Sequence, residues 1–326
     1  MAADAELNLT FIEKKLGTLG RISLYAGLFG VYSLIPVLKD NVDFLTHFGM
    51  TSESVERIKS MGDVSSDIHT TLGLVLGLLL VFRTNSSYAR WWEARKLWGK
   101  LVNISRNMAI KFREFSNFGS DELRELGDLI VAFPEALRDH LREDDDFDMF
   151  PEIEQIDPPP RHIPAYISDL IYRRVIGWKR SGLIDGDELR ILDSETRELM
   201  EICGGCERIR RTRLSPSYRL FVRHCIGLYL CTLPWGLVED FEFWTIPITI
   251  ILAYFMIGIE VIAHSVEEPF GLDEDDLDLD GLCITIRSTV NEILDRFGKN
   301  AGEIARPGTS SITFEQPLPE GGSASG

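Results

Sequence analysis

The chain of 326 residues is poor in positive charge, with 34 Lys+Arg against 51 Asp+Glu and a formal net charge of -17. A phosphate backbone has to be met by a basic surface, so this deficit excludes a nucleic-acid binder. Cysteine is scarce too: Cys203, Cys206, Cys225, Cys231 and Cys283 are an odd set, which fits a reducing side and no disulfide framework. Period-two alternation of apolar and polar residues is missing, which leaves an all-α fold as the expectation. The first ten residues, MAADAELNLT, carry no basic n-region, and the apolar run after Arg21 has no small-residue cleavage site behind it. Neither a secretory signal nor an Arg-rich, acid-poor transit peptide is therefore expected. Catalytic patterns are equally thin. The six histidines (His47, His69, His140, His162, His224, His264) are scattered, and neither a nucleophile elbow nor a P-loop occurs.

Apolar residues are plentiful, at 44%, which excludes wholesale disorder. A mean hydropathy of zero beside 26% charged residues points to two segregated kinds of sequence. Four runs carry the apolar half: Ile22 to Leu38, Ile68 to Phe82, Ile226 to Val238 and Phe243 to Ile259. The second, extended back to Val64, has 19 residues, about 28 Å of helix. With their flanks, each approaches the ~17–25 residues that a spanning helix needs. Short apolar runs also suit buried helices of a large soluble core, and loop charge decides between the readings. Lys14, Lys15 and Arg21 precede the first run; Arg83, Arg90, Arg95, Lys96 and Lys100 follow the second; and six arginines from Arg208 to Arg223 precede the third. The EDFE connection between the third and fourth has no Lys or Arg at all. This alternation predicts four spans with both termini in the cytoplasm.

The organisation expected is an N-terminal amphipathic segment (1–21), two transmembrane helices with an extracytoplasmic loop (22–82), and a cytosolic helical region (83–224). Two further transmembrane helices (225–263), cytosolic C-terminal helices (264–306) and a disordered tail (307–326) follow. Within the long interspan region, helical periodicity predicts a continuation of the second span over 86–115, then helices over 121–142, 163–178 and 185–202. An acidic, Pro-broken loop over 143–160 separates the middle two.

The second span carries the most informative pattern. Thr70, Leu74, Leu78 and Phe82 recur every four residues and drift only ~40° per step, so they form one stripe. Gly73 and Gly77 form a second stripe with the spacing that lets helices approach closely. Ordinary packing explains either alone. Together they suit a symmetric ring of helices around a pore whose narrowest part is apolar and gates by dewetting. Cys203-Gly-Gly-Cys206 has redox or metal spacing, but no second ligand pair follows and no βαβ setting surrounds it, so it reads as a Gly-rich helix end. Asp276, Asp278, Asp280 and Gly281 match the opening of an EF-hand loop, yet its twelfth position falls on Arg287, a cation where a bidentate Glu is required. The acidic run reads instead as a solvated turn that caps a helix starting near Leu282, with a calcium site of another kind as the alternative.

Three separated segments resemble the bestrophin family of ion channels in its prokaryotic form: 82–99 (FRTNSSYARWWEARKLWG), Cys206-Glu-Arg-Ile before the third span, and Glu268-Pro-Phe-Gly after the fourth. Their order and spacing relative to the spans agree along roughly residues 10–300. The resemblance implies a homopentamer around a central pore, with the second span lining a hydrophobic neck above a cytosolic vestibule. It places the neck on Leu74, Leu78 and Phe82 and a second, cytosolic aperture on Leu214, here flanked by Arg213 and Ser215. Animal members hold calcium in a clasp; Asp273 and Asp276 match two of its acidic positions, whereas Glu268 and Leu272 depart from its pattern. The resemblance to prokaryotic-type members implies no calcium gating, and no cofactor is expected.

The function expected is conduction of small monovalent anions, chloride and bicarbonate among them, by a multi-pass protein of the cell inner or plasma membrane. Its partners are further copies of itself and the lipid bilayer. Helix N-termini and the basic stretch Arg208 to Arg213 favour anions. The bulk charge favours cations and makes a cation-selective channel the first alternative. A membrane enzyme dependent on Cys203, Cys206 or a histidine, and a non-conducting scaffold, are the alternatives of other classes.

Overall fold

A computed structural model describes residues 17–41, 66–115, 120–143 and 160–300. Expectations for the N-terminal segment before Gly17, the 42–65 connection, most of the acidic loop and the tail lie outside the described residues. Among those described, every regular element is helical: α1 (Thr18–Tyr32), α2 (Leu34–Asp40), α3 (Ser66–Phe115), α4 (Ser120–Arg142) and α5 (Ile163–Ser181), then α6 (Gly186–Arg211), α7 (Pro216–Phe241), α8 (Thr245–Glu267) and α9 (Leu279–Asn300).

Helix boundaries follow local chemistry. The first apolar run is divided at Ser33 into α1 and α2. Pro36 has no N–H to return to the preceding turn, and the Ser33 hydroxyl donates to the Gly30 carbonyl at 2.7 Å. α6 opens on a capping box: Asp185 accepts from the amides of Asp187 and Glu188, and Glu188 accepts from the amide of Asp185, each at 2.8 Å. Pro216 begins α7, where its missing N–H costs nothing.

Two apolar clusters organise these helices, and α3 runs through both. The first joins Ala26 of α1, Leu76 and Leu80 of α3, Val222, Ile226, Leu230 and Leu233 of α7, and Ala253 of α8. The second is the interior of a helical body: Trp98, Leu101 and Met108 of α3 pack with Phe133 and Leu137 of α4, Ile171 of α5, Ile202 of α6 and Ile286 of α9. Three stretches, Thr18–Asp40, Ile68–Phe115 and Pro216–Glu267, are long and apolar enough to cross a membrane. The last holds two helices, α7 and α8, joined by a 3-10 turn at Glu242–Trp244.

α6 does not end at its glycines. It continues past Cys203-Gly-Gly-Cys206 to Arg211, so the reading of that motif as a helix end is corrected. The reason is packing. A Cβ at Gly205 would stand 2.9 Å from Leu97 Cδ1, so glycine here allows α6 to lie close against α3.

Candidate functional site

The part of α3 that precedes Arg83 has two unlike faces. Leu76 and Leu80 point into the apolar cluster and are only 4% and 3% exposed. Leu74, Leu78 and Phe82 lie on the other side, at 77%, 56% and 56% exposure. Four residues advance a helix by ~40° net, so the three stay within one ~80° sector, roughly opposite the packed face. Unpartnered side chains of this size either meet lipid or meet further copies of the chain. The two glycines of the second stripe differ: a Cβ on Gly73 would come within 2.9 Å of Tyr229 Oη on α7, whereas one on Gly77 would meet nothing. Gly73 therefore serves packing within the chain.

One residue after Phe82, α3 carries a charge that is wholly buried. Arg83 donates from Nη2 to Glu267 Oε2 at 2.7 Å and from Nη1 to Ser87 Oγ at 2.8 Å, and its Nε stands 3.5 Å from Glu260 Oε2. Glu267 is also fully buried. Its second oxygen, Oε1, accepts from the backbone N–H of Leu214 at 3.0 Å, and its carbonyl accepts from Arg90 Nε at 3.2 Å. Arg90 further donates from Nη2 to the Ile209 carbonyl at 2.5 Å and from Nη1 to that of Thr212, closing the last turn of α6. A single carboxylate thus ties the end of the α3 stripe to Leu214, the half-buried residue between α6 and α7. Arg213 beside it pairs with Glu268 at 2.5 Å. Isolated charges are costly to remove from water, and here two cations, Arg83 and Arg223, face the two carboxylates of Glu260 and Glu267.

Arg83, Glu260 and Glu267 were not among the residues that the sequence singled out for function. The available signal was ionisable residues directly after apolar spans, which mark functional sites by default. What sequence spacing cannot give is the pairing of Arg83 with a residue 184 positions away.

The acidic run after α8 forms a turn. Asp276 Oδ2 accepts from the Asp273 N–H at 2.7 Å, Leu277 N–H returns to the Pro269 carbonyl at 3.0 Å, and Trp91 Nε1 donates to the Asp275 carbonyl at 3.2 Å. Burial pushes the Asp276 carboxyl up to about 6, helped by the charges of Asp273, Asp275 and Glu268 and opposed by the Asp273 amide. A carboxylate that is raised and occupied by a backbone donor is a poor calcium ligand. Among the described residues, moreover, the Asp273 and Asp276 side chains join no group of three ligating side chains.

Such a group occurs elsewhere, at His140, His162 and Glu207. Histidines that are far apart in sequence are brought together: His140 Nε2 and His162 Nε2 lie 2.7 and 3.1 Å from Glu207 Oε1. His162 Nδ1 accepts the Ala165 N–H at 3.1 Å as the cap of α5, so the neutral ring carries its proton on Nε2 and presents a donor where a metal needs a lone pair. This is a hydrogen-bonded staple between α4, α5 and α6. Burial raises the Glu207 carboxyl, but the His140 hydrogen bond and the two imidazoles outweigh it and hold it below its ordinary value. Cys203 and Cys206 are fully buried; burial pushes the Cys203 thiol up to about 12 and the Cys206 thiol higher still, the opposite of a reactive pair.

Apolar helices of spanning length, fused through α3 to a packed helical body, define an all-helical integral membrane protein. Comparison with known proteins makes this specific. Residues 33–292 match the family model described as Bacterial/Fungal Bestrophin protein, and the chain belongs to the bestrophin family. It is 34% identical over 231 residues to a voltage-dependent anion channel-forming protein of Mesorhizobium japonicum, covering 68% of this chain and 73% of that one. It is 32% identical over 234 residues to a protein of the same name from Synechocystis sp., covering 68% and 75%. The fold matches the crystal structure of a bacterial bestrophin homologue from Klebsiella pneumoniae with a TM-score of 0.72 at 23% identity, over 83% of this chain and 98% of that one.

Proposed function

We propose that the chain forms a homopentameric channel for small monovalent anions such as chloride and bicarbonate, and acts as a channel rather than an enzyme. The neck is made by Leu74, Leu78 and Phe82 from each copy. The observation that carries this reading is the stripe itself: three large apolar side chains held at high exposure, opposite a packed face, on a helix that continues into the helical body. Arranged around an axis, such stripes form an apolar constriction that passes ions when wet and blocks them when dry. Leu214 forms the second constriction, and its tie to Glu267 sets its position relative to the end of the neck. Four spans, within 22–82 and 225–263, put both termini and the helical body on the cytoplasmic side of the inner or plasma membrane. The relatives' names as anion channel-forming proteins support the choice of ion. Asp273 and Asp276 act as a structural turn, with no calcium step.

The net charge of -17 supports a second reading, a cation-selective pore of the same architecture. A planar bilayer with a potassium chloride gradient separates them. An anion channel reverses near the chloride Nernst potential, and reversal near that of potassium overturns the anion reading.

A further inference from the structure

Three spanning segments converge at one boundary. Arg21 stands just before the first apolar run, Arg223 just before the third, and Glu260 and His264 just after the fourth. The structure encloses there, between α1, α7 and α8, a cavity of ≈ 670 Å³ that is open on one side. From this geometry we propose that the cavity holds the headgroup of a zwitterionic aminophospholipid, phosphate on the arginines and ammonium on the carboxylates. The proposal rests on the membrane placement of the spans and is independent of which ion the pore passes.

The lining is layered in the order that such a lipid requires. Phe29, Ile226 and Ile257 form its apolar level, within the spans. Arg21 and Arg223 come next, at the boundary. Glu268, whose carboxylate also pairs with Arg213, and the exposed Asp273 follow the end of α8. Ile257 and Glu268 are separated by eleven residues, ~16 Å along a helix axis, which matches the depth from upper acyl carbons to a headgroup amine. Acyl chain, phosphate and ammonium meet, in turn, aliphatic wall, cation pair and anion pair. A headgroup with phosphate alone would leave the outer carboxylates facing its own charge.

Polar atoms are left over for this ligand. Arg21 Nε and His264 Nδ1 are both buried and have no hydrogen-bond partner among the described residues. The Arg21 guanidinium makes a long hydrogen bond, 3.5 Å from Nη2 to Thr18 Oγ1. Buried polar groups of folded proteins are nearly always satisfied, so the unpaired Arg21 donor and the unpaired His264 ring nitrogen beside a cavity point to a polar ligand that enters it. Arg223 is half exposed and shares Glu260 with Arg83, so a headgroup on Arg223 touches the charge network that follows Phe82.

The test uses the full-length assembly, reconstituted in vesicles of equal parts phosphatidylethanolamine and phosphatidylglycerol, re-extracted in mild detergent and examined by native mass spectrometry. The expected result is retention of about one phosphatidylethanolamine per chain in preference to phosphatidylglycerol. Arg21→Gln lowers that retention about tenfold, the loss of one charge-assisted contact. Asp273→Asn, an exposed change that leaves packing intact, keeps the lipid but erases its preference over phosphatidylglycerol. Free phosphoethanolamine added at millimolar concentration does not displace the lipid; displacement would make the ligand a soluble phosphate ester and overturn the lipid assignment. Equal or greater retention of phosphatidylglycerol by the unmodified chain, no retained lipid, unchanged retention in Arg21→Gln, or density from a neighbouring subunit filling the cavity would each overturn the proposal.

Discussion

Replacing Glu267 by Gln removes one negative charge from a site where neither partner touches water, and this has a calculable cost. Arg83 loses its 2.7 Å carboxylate partner and keeps Glu260 at 3.5 Å. Breaking a buried ion pair by neutralising one member costs about 3–5 kcal/mol, and the second glutamate places the expected value at the lower end, about 3 kcal/mol. The Gln side chain still offers an oxygen to the Leu214 amide, 3.0 Å from Oε1 in the unmodified protein. Glu267→Ala loses that bond as well and should cost about 1 kcal/mol more. Arg83→Met removes the buried cation and leaves Glu267 without its ion-pair partner while Glu260 keeps Arg223, again about 3 kcal/mol. The double variant Arg83→Met/Glu267→Gln removes both charges together, so its cost should fall short of the sum of the singles by about 2 kcal/mol. Denaturant unfolding of the detergent-solubilised protein, followed by tryptophan fluorescence, measures all four. Additive single costs, within about 0.5 kcal/mol, would refute the claim that this pair joins α3 to α8.

Other consequences are simpler. Trp98 is wholly buried in the helical body, and Trp98→Ala should destabilise the protein by about 3–5 kcal/mol, seen as a lower denaturant midpoint. Asp276 gives a pH dependence: a carboxyl raised in the folded state stabilises the fold when protonated, fully below its ordinary 3.8 and progressively less as pH rises through about 6. Asp276→Asn should remove that decline from a melting-temperature profile, and an unchanged profile contradicts the burial argument. Glu207 acts with the opposite sign, its stabilisation present above the ordinary value of 4.5 and lost as pH falls through its depressed one, so Glu207→Gln should flatten acid sensitivity below that point. Cys203 and Cys206 should resist alkylation by a maleimide at neutral pH until the protein is unfolded, because both thiols are buried and raised.

The helices were legible because their determinants are local. Periodicity places α4, α5 and the continuation of α3 within a few residues of their bounds, and the spacing of Leu74, Leu78 and Phe82 fixes their common face. The Cys203-Gly-Gly-Cys206 segment misled because two glycines disfavour a helix by ~1 kcal/mol each, whereas Gly205 has a tertiary use, the close approach of α6 to Leu97. The joint beneath the stripe was hidden for another reason. Arg83, Glu260 and Glu267 are ordinary charges in one dimension, and only the packing of α3 against α8 turns them into a buried network. His140 and His162 are joined in the same way, by a glutamate on a third helix.

The central claim is that the α3 stripe is the constriction of a conducting pore. Single-channel recording of purified protein in planar bilayers, comparing the unmodified chain with Leu74→Ala/Leu78→Ala/Phe82→Ala, tests it most directly. All three side chains are at least 56% exposed within the chain, so truncation spares its own core. A widened, more easily wetted neck should raise conductance or open probability while the reversal potential keeps its sign. Currents indistinguishable from those of the unmodified channel would contradict the account and return the stripe to ordinary contact with lipid.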